Sequence, residues 1–310
     1  MAGRVFGVRR AVFGFGAVGI VSVSYKAIFG YGGNYPTYYS MTNLVSNTGV
    51  VATDTTGVGT ARNYLAAAGY GPGKAIFGYG DANPYTAVTN LVSNTGVVAS
   101  DVTGVGTVRA QLAAAGYGTD KAIFGFGMTG SYVSMTNLVS NVGVVATDTT
   151  GVGTGRRLLA AAGYGTDKAI FGYGIDGTGS RVSYTNLVSN TGVVATDTTG
   201  VGTARIFLAA AGYGTDKAIF GYGETSSGIT SITNLVSNTG VVGNDVTGVG
   251  TDRSKLSAAS YGTDKAIFGY GAGGPDYSMT NLVSSAGIVS TDTTGVGTAR
   301  ANPAAASYGT

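Results

Sequence analysis

The sequence predicts an all-β fold: a six-bladed β-propeller of four-stranded blades, its ring closed by a carboxy-terminal strand that completes the amino-terminal blade. Three observations predict it. The heptapeptide KAIFGYG at residues 26–32 returns with at most one change, so that lysines fall at 26, 74, 121, 168, 217 and 265. That period of 47 to 49 residues lies in the range of propellers and solenoid arrays. Composition is the second observation: 55 glycines, 11% charged residues and an excess of Val, Thr, Ala, Tyr and Ile favour short strands and many turns over long amphipathic helices. The third is an offset of the ends. Residues 26–310 hold six units, the last stopping at AAASYGT, a first strand with no second strand after it, while Lys26 opens a second strand with no repeat-like first strand before it. A ring accommodates this offset, whereas a linear solenoid has no use for it.

Within a unit, strands are expected over LAAAGYG, KAIFGYG, TNLVS and VVATDTT. They are joined by a Thr-Asp turn, a variable stretch, a Ser-Asn-Thr-Gly turn and the glycine-rich GVGTAR. Apolar residues on both sides of the pleat in AIFGY and in NLVS with VVAT call for burial on both faces, which a blade packed between two other blades supplies. LAAAG carries the smallest side chains, as suits a strand crowded around a central axis.

Residues 1–25 stand outside this count. RAVFGFG at 10–16 matches KAIFGFG, and it predicts an amino-terminal extension with one more ordered strand, or a degenerate blade that raises the number to seven. Arginines followed by a small apolar run give the alternative of a secretory signal of twin-arginine look. The run is too short and too rich in glycine for a transmembrane helix, and no membrane insertion is expected.

The chain has no Cys, His or Trp, which removes disulfides, thiol chemistry and imidazole ligation or acid-base catalysis. Its net charge of +3 is due to Arg4, Arg9 and Arg10, because 15 basic residues balance 15 acidic ones in the remainder. A neutral body gives no footprint for nucleic acid. No metal and no cofactor are expected, and no acid-base pair marks an enzyme.

The order Arg, apolar strand, tight turn, Lys-apolar strand ending in glycines, variable loop, two more strands and Arg resembles a kelch repeat over residues 26–310. That resemblance implies a propeller closed by an innermost carboxy-terminal strand and, as one alternative, an intracellular protein-interaction scaffold. The near-identity of the units also resembles repetitive proteins of viral and environmental sequences.

Constant and variable positions divide the units further. Arg62, Arg109, Arg156, Arg205, Arg253 and Arg300 each follow Asp54, Asp101, Asp148, Asp197, Asp245 and Asp292 by eight residues across a TTGVGT-like segment. Sixfold repetition points to structural charges that pin the links between blades by charge-assisted bonds; the functional alternative is a ring of charge for an ion. The recurring lysines and Asp120, Asp167, Asp216 and Asp264 read as exposed hairpin charges that discourage edge pairing. TTGVGT lacks the GK[ST] of a phosphate loop, and the tyrosines of FGYG and AAGY read as packing between blades.

Between FG[YF]G and TN the copies read GNYPTYYSM, DANPYTAV, MTGSYVSM, IDGTGSRVSY, ETSSGITSI and AGGPDYSM, eight to ten residues of nearly rewritten chemistry. A rigid scaffold that presents such loops on one face has the geometry of a recognition surface; exposed loops that drift are the competing explanation. Tyr35, Tyr38, Tyr39, Tyr85, Tyr132 and Tyr277 are the expected stacking platforms, with Asn34, Asn83, Asp176, Arg181, Glu224 and Asp276 as hydrogen-bonding partners. The functional expectation is a non-enzymatic binding protein that recognises a glycan or protein, displayed on a virion or cell surface and in contact with other virion proteins. A purely structural assembly protein of a particle is the alternative, and a cytoplasmic location fits the scaffold reading.

Overall fold

The computed structural model describes residues 25–309, and the expectations for residues 1–24 lie outside them. All regular structure among the described residues is β, in small antiparallel sheets.

Six of these sheets have three strands and repeat one plan. The first strand is Ala66–Tyr70, Ala113–Tyr117, Ala160–Tyr164, Ala209–Tyr213, Ser257–Tyr261 or Ala304–Tyr308. It pairs with the second strand, respectively Lys74–Gly78, Lys121–Gly125, Lys168–Gly172, Lys217–Gly221, Lys265–Gly269 or Lys26–Gly30. The second pairs in turn with a third: Thr89–Val92, Thr136–Val139, Thr185–Val188, Thr233–Val236, Thr280–Val283 or Thr42–Val45. One of the six sheets therefore joins the two ends of the described chain, with Phe29 opposite Ala305.

The expected fourth strand is present only as isolated bridges. In the first unit Val45 pairs with Val51 and Thr42 with Thr55, so three residues are crossed in one step and four in the other. That extra residue is a β-bulge, which leaves backbone groups without ladder partners. Asn43 fills the gap, its Nδ2 donating to Ala52 O at 3.0 Å and to Asp54 Oδ1 at 2.9 Å.

Burial follows the sequence pattern. Ala27, Ile28 and Phe29 are all fully buried, so both faces of the second strand are covered. In the first strand Ala66, Ala68 and Tyr70 are buried while Ala67 and Gly69 are half-exposed, the period of two expected of a strand with one open face.

Sheets contact one another through a small set of repeated features. Phe77 stacks on Tyr31 at 5.0 Å, Phe124 on Tyr79 and Phe171 on Phe126 at 5.1 Å, and the series continues to Phe29 on Tyr270 at 5.1 Å. Each Phe lies against the last glycine of a neighbouring second strand; a Cβ on Gly78 would stand 2.7 Å from Phe124 Cζ. First strands approach equally closely. A Cβ on Gly116 would meet Gly69 O at 3.2 Å, one on Gly163 would meet Gly116 O at 3.3 Å and one on Gly212 would meet Gly163 O at 3.2 Å. Ser260 Oγ donates to Gly212 O at 2.8 Å and Ser307 Oγ to Ser260 O at 2.7 Å. Gly69 faces Ser307 O, which a Cβ would meet at 3.1 Å.

Candidate functional site

Every second strand runs from its lysine to its FG[YF]G, and this direction sorts the connections into two ends. At the lysine end the turns bind one another and barely vary in sequence. Gly71 N donates to Asp120 O at 2.7 Å, and Asn141 Nδ2 donates to Asp120 Oδ2 at 3.1 Å. At the other end lie the variable stretches. Their first residues bridge to the residue after the recurring arginine: Asp81 to Asn63, Met128 to Ala110, Glu224 to Ile206 and Ala272 to Ser254, while Ile175 pairs with Arg157.

The expected loop residues gather at this end and engage one another. Asn34 Nδ2 donates to both carboxylate oxygens of Asp276 at 3.1 and 3.0 Å. Arg181 Nη2 meets Glu224 Oε1 at 2.6 Å. Tyr35 is 72% exposed and lies edge-on to Tyr38 at 6.5 Å. The Tyr38 hydroxyl donates to Asp81 Oδ2 at 3.4 Å, and Asn83 N donates to Asp81 Oδ1 at 2.8 Å. Tyr132 lies under the Arg157 guanidinium at 4.9 Å. Tyr39, Tyr85 and Tyr277 are half-buried; Tyr39 and Tyr277 contribute carbonyls that accept from Arg62 N and Arg300 N at 3.4 Å, and Tyr85 bridges to Asp81. Asp176 turns inward, accepting Thr178 Oγ1 at 2.6 Å, Thr178 N at 2.9 Å and Ser180 N at 3.2 Å, and these bonds hold its carboxyl below the usual range despite the burial that raises it. Tyr35 is thus the most accessible of the expected tyrosines, while Asp176 is held by its own loop.

The recurring arginines are fully buried. Arg62 Nε donates to Tyr79 O at 2.8 Å, Nη1 to Thr60 O at 2.9 Å and Nη2 to Asn90 Oδ1 at 2.8 Å, and the guanidinium rests 4.4 Å from the Tyr31 ring centre. Its nearest recurring carboxylate is not Asp54, eight residues before it, but Asp101 of the following unit, which accepts Thr60 Oγ1 at 2.6 Å. The same displacement sets Arg109 near Asp148 at 3.8 Å, Arg156 near Asp197 at 3.4 Å, Arg205 near Asp245 at 3.8 Å, Arg253 near Asp292 at 3.5 Å and Arg300 near Asp54 at 3.9 Å. Burial pushes the arginines down, Arg156 to about 10. It also raises the carboxyls, but bonds from Thr and Asn and the adjacent arginine outweigh it and hold Asp54 and its equivalents below their ordinary value. These bonds tie each arginine to groups of the next sheet.

One set of residues at the variable end escaped the sequence analysis. Two positions after each recurring arginine stand Tyr64, Gln111, Leu158, Phe207, Lys255 and Asn302, different in every unit and all at positive φ, between 52° and 61°. They are linked by backbone bonds: Gln111 N donates to Tyr64 O at 2.9 Å, Leu158 N to Gln111 O at 3.0 Å, Phe207 N to Leu158 O at 3.1 Å, Lys255 N to Phe207 O at 2.9 Å and Asn302 N to Lys255 O at 2.8 Å. Side chains meet across this series, with the Tyr64 and Phe207 rings 6.3 Å apart and Lys255 Nζ 5.4 Å from the Phe207 ring centre. A left-handed backbone costs a residue with a Cβ about 1 kcal/mol or more, and glycine relieves it. A chain with 55 glycines uses none at these positions, so side chains are kept there against a backbone cost. The legible signal was the unmatched pair of residues between each arginine and the leucine or proline that follows: NY, AQ, RL, IF, SK and AN.

Three polar atoms in or beside this series, Asn63 Oδ1, Arg157 Nε and Asn302 Nδ2, are buried without a hydrogen-bond partner. Among the described residues no group of three or more His, Cys, Asp or Glu side chains is placed to hold a metal ion, and no helix is long and apolar enough to cross a membrane. No family model matches the chain, and no curated protein matches it.

Proposed function

We propose that the chain is a closed six-bladed β-propeller, kelch-like in its repeat order, and that it works as a non-enzymatic binding module at the surface of a particle or cell, recognising a glycan or a protein through its variable end. Pairing of Ala304–Tyr308 with Lys26–Gly30 and the series of first-strand contacts that returns from Ser307 to Gly69 support the ring. The observation that carries the function is the segregation of change. Lysine-end turns, buried arginines and strand interiors repeat almost unaltered, while the six variable stretches and the positive-φ residues share the other end. Exposed loops on a rigid framework are where recognition is built, and Tyr with small polar residues suits contact at low entropy cost. Screening the chain on glycan and cell-surface arrays tests this, with a variant whose other five variable stretches are replaced by MTGSYVSM, the sequence of the third, as control. Retained binding by that variant rejects the variable end as the recognition face.

One observation favours a second reading, a structural unit of a larger assembly. Asn34 with Asp276 and Arg181 with Glu224 direct their polar groups at each other. For a structural unit, scrambling the variable stretches leaves incorporation intact, and deleting residues 1–16 abolishes it.

A further inference from the structure

At the variable end the positive-φ series rims a recess of about 80 Å³. Each of its six residues is followed by a second lining residue, leucine in five units and Pro303 in the sixth, and all of these are buried. The floor is therefore apolar in every unit, whereas the rim differs in every unit. An apolar cavity of about 150 Å³ admits a benzene molecule, so a recess of this size takes a group of about four non-hydrogen atoms rather than a whole ligand. One buried polar group of the lining is unsatisfied: Asn302 is 6% exposed, and its Nδ2 has no hydrogen-bond partner. Burial raises the Tyr64 hydroxyl and the Asn302 amide works against that rise, so the two groups lie close together, yet without hydrogen-bonding geometry for Nδ2. The same two residues end the series. Five backbone bonds lead from Tyr64 to Asn302, and among the described residues none between Tyr64 N and Asn302 O completes it. A buried amide with no acceptor carries a cost that a carbonyl oxygen brought by a ligand removes.

Resting on the reading of the variable end as a recognition face, we propose that this recess takes the acetamido group of an N-acetylhexosamine in a glycan. The lining calls for an apolar tip with a carbonyl acceptor directly behind it. In an acetamido group the methyl meets the leucines while the carbonyl accepts from Asn302 Nδ2. The carboxamide of an asparagine or glutamine side chain presents its polar end first and sets it against leucine, and a carboxylate brings a charge there. A plain sugar hydroxyl has no apolar tip. An acetylated lysine carries the same group, but on a long stem whose rotamer freedom is lost on binding, whereas a pyranose holds its acetamido group on a rigid ring. Tyr64 and Phe207, half-exposed at the rim with their rings 6.3 Å apart, offer apolar surface to the C–H face of the sugar.

Calorimetric titration of the full chain with N,N′-diacetylchitobiose, set against cellobiose, which has the same linkage without the acetamido groups, tests the proposal. The expected result is saturable binding of diacetylchitobiose and binding of cellobiose at least about tenfold weaker. Asn302→Gly is expected to weaken diacetylchitobiose about tenfold, the scale of one hydrogen bond. Glycine adopts the left-handed φ of 52° at position 302 without strain, so N302G is expected to melt no lower than the parent. If it does melt lower, the comparison of the two sugars on the parent chain still decides. Equal affinity for the two sugars, or an N302G variant that melts as the parent does and binds diacetylchitobiose equally well, overturns the proposal. So does an Nε-acetyl-lysine peptide that binds more tightly than diacetylchitobiose and is weakened by N302G, because it assigns the recess to a protein. Failure to bind diacetylchitobiose by a chain that binds another ligand on the glycan and cell-surface arrays overturns this proposal alone, whereas a chain that binds nothing on them overturns the recognition reading with it.

Discussion

Arg300 Nη2 donates to Asn43 Oδ1 at 2.8 Å across 257 residues of sequence, reproducing the bond that Arg62 makes to Asn90 of the following unit at the same distance across 28 residues. Arg300 Nε likewise reaches Tyr31 O at 2.8 Å, as Arg62 Nε reaches Tyr79 O. If the ends of the described chain are joined as firmly as any two neighbours, removing either arginine has the same consequence. Arg300→Ala and Arg62→Ala are each expected to lower the unfolding free energy by about 3 kcal/mol, because buried acceptors lose charged donors. Urea denaturation checks this. A loss for R300A well below that for R62A means that the carboxy-terminal strand is held more loosely than the other five.

Acid sensitivity follows from the six recurring aspartates. Thr298 and Asn43 hold Asp54 below its ordinary carboxyl value against the upward push of burial, and its equivalents behave alike. A carboxyl depressed in the folded state adds stability that is fully present above its unfolded value near 3.8 and is lost as pH falls through the lower folded value. Stability is therefore expected to be flat near neutrality and to fall below about pH 4. Urea midpoints across pH check it, and Asp101→Asn is expected to flatten part of that fall. An acid limb identical in the variant excludes these aspartates as its source.

At the alkaline extreme the sign reverses. Burial pushes Tyr31, Tyr173, Tyr222 and Tyr270 up from 10.0 to about 12. A group raised in this way contributes stability that is complete below pH 10, its unfolded value, and disappears as pH rises toward 12. Absorbance titration of the phenolates is expected to show that the buried class, Tyr31, Tyr173, Tyr222 and Tyr270, ionises only with unfolding.

The close approach of Phe124 to Gly78 sets a steric prediction. A Cβ at position 78 lies 2.7 Å from Phe124 Cζ, whereas one at Gly177 meets nothing within 4 Å. Gly78→Ala is expected to cost about 1–3 kcal/mol by overpacking, and Gly177→Ala less than about 0.5 kcal/mol. Thermal unfolding of the two variants distinguishes them; equal melting temperatures mean that the sheets slide apart easily.

Three strands of each unit were legible because their reasons are local. AAAGY, KAIFG and TNLV carry the right residues in the right period, and the pairing of Ala304–Tyr308 with Lys26–Gly30 follows from the offset of the repeats. What escaped was set by tertiary bonds. VVATDTT has strand composition, but a bulge there breaks the ladder and Asn43 bonds into it. Asp54 stands eight residues before Arg62 in sequence, yet its arginine is Arg300, because the link crosses to the next sheet before the arginine turns in. Positive φ at Tyr64 and its equivalents carries no composition signal, since no glycine marks it.

Those strained positions yield the last prediction. Lys255 is half-buried at φ 58°, with its ammonium over the Phe207 ring. In an ordinary strand a glycine substitution costs about 0.5–1 kcal/mol. Here relief of the left-handed backbone, about 1 kcal/mol or more, offsets that loss, so Lys255→Gly is expected to leave stability unchanged or raise it by up to about 1 kcal/mol. If the variable end is the recognition face, the same variant weakens ligand binding while the protein melts no lower. A lowered melting temperature instead shows that the contact with Phe207 stabilises the framework and that the side chain is kept for packing. Parallel unfolding and binding measurements on K255G therefore separate a residue retained for recognition from one retained for the fold.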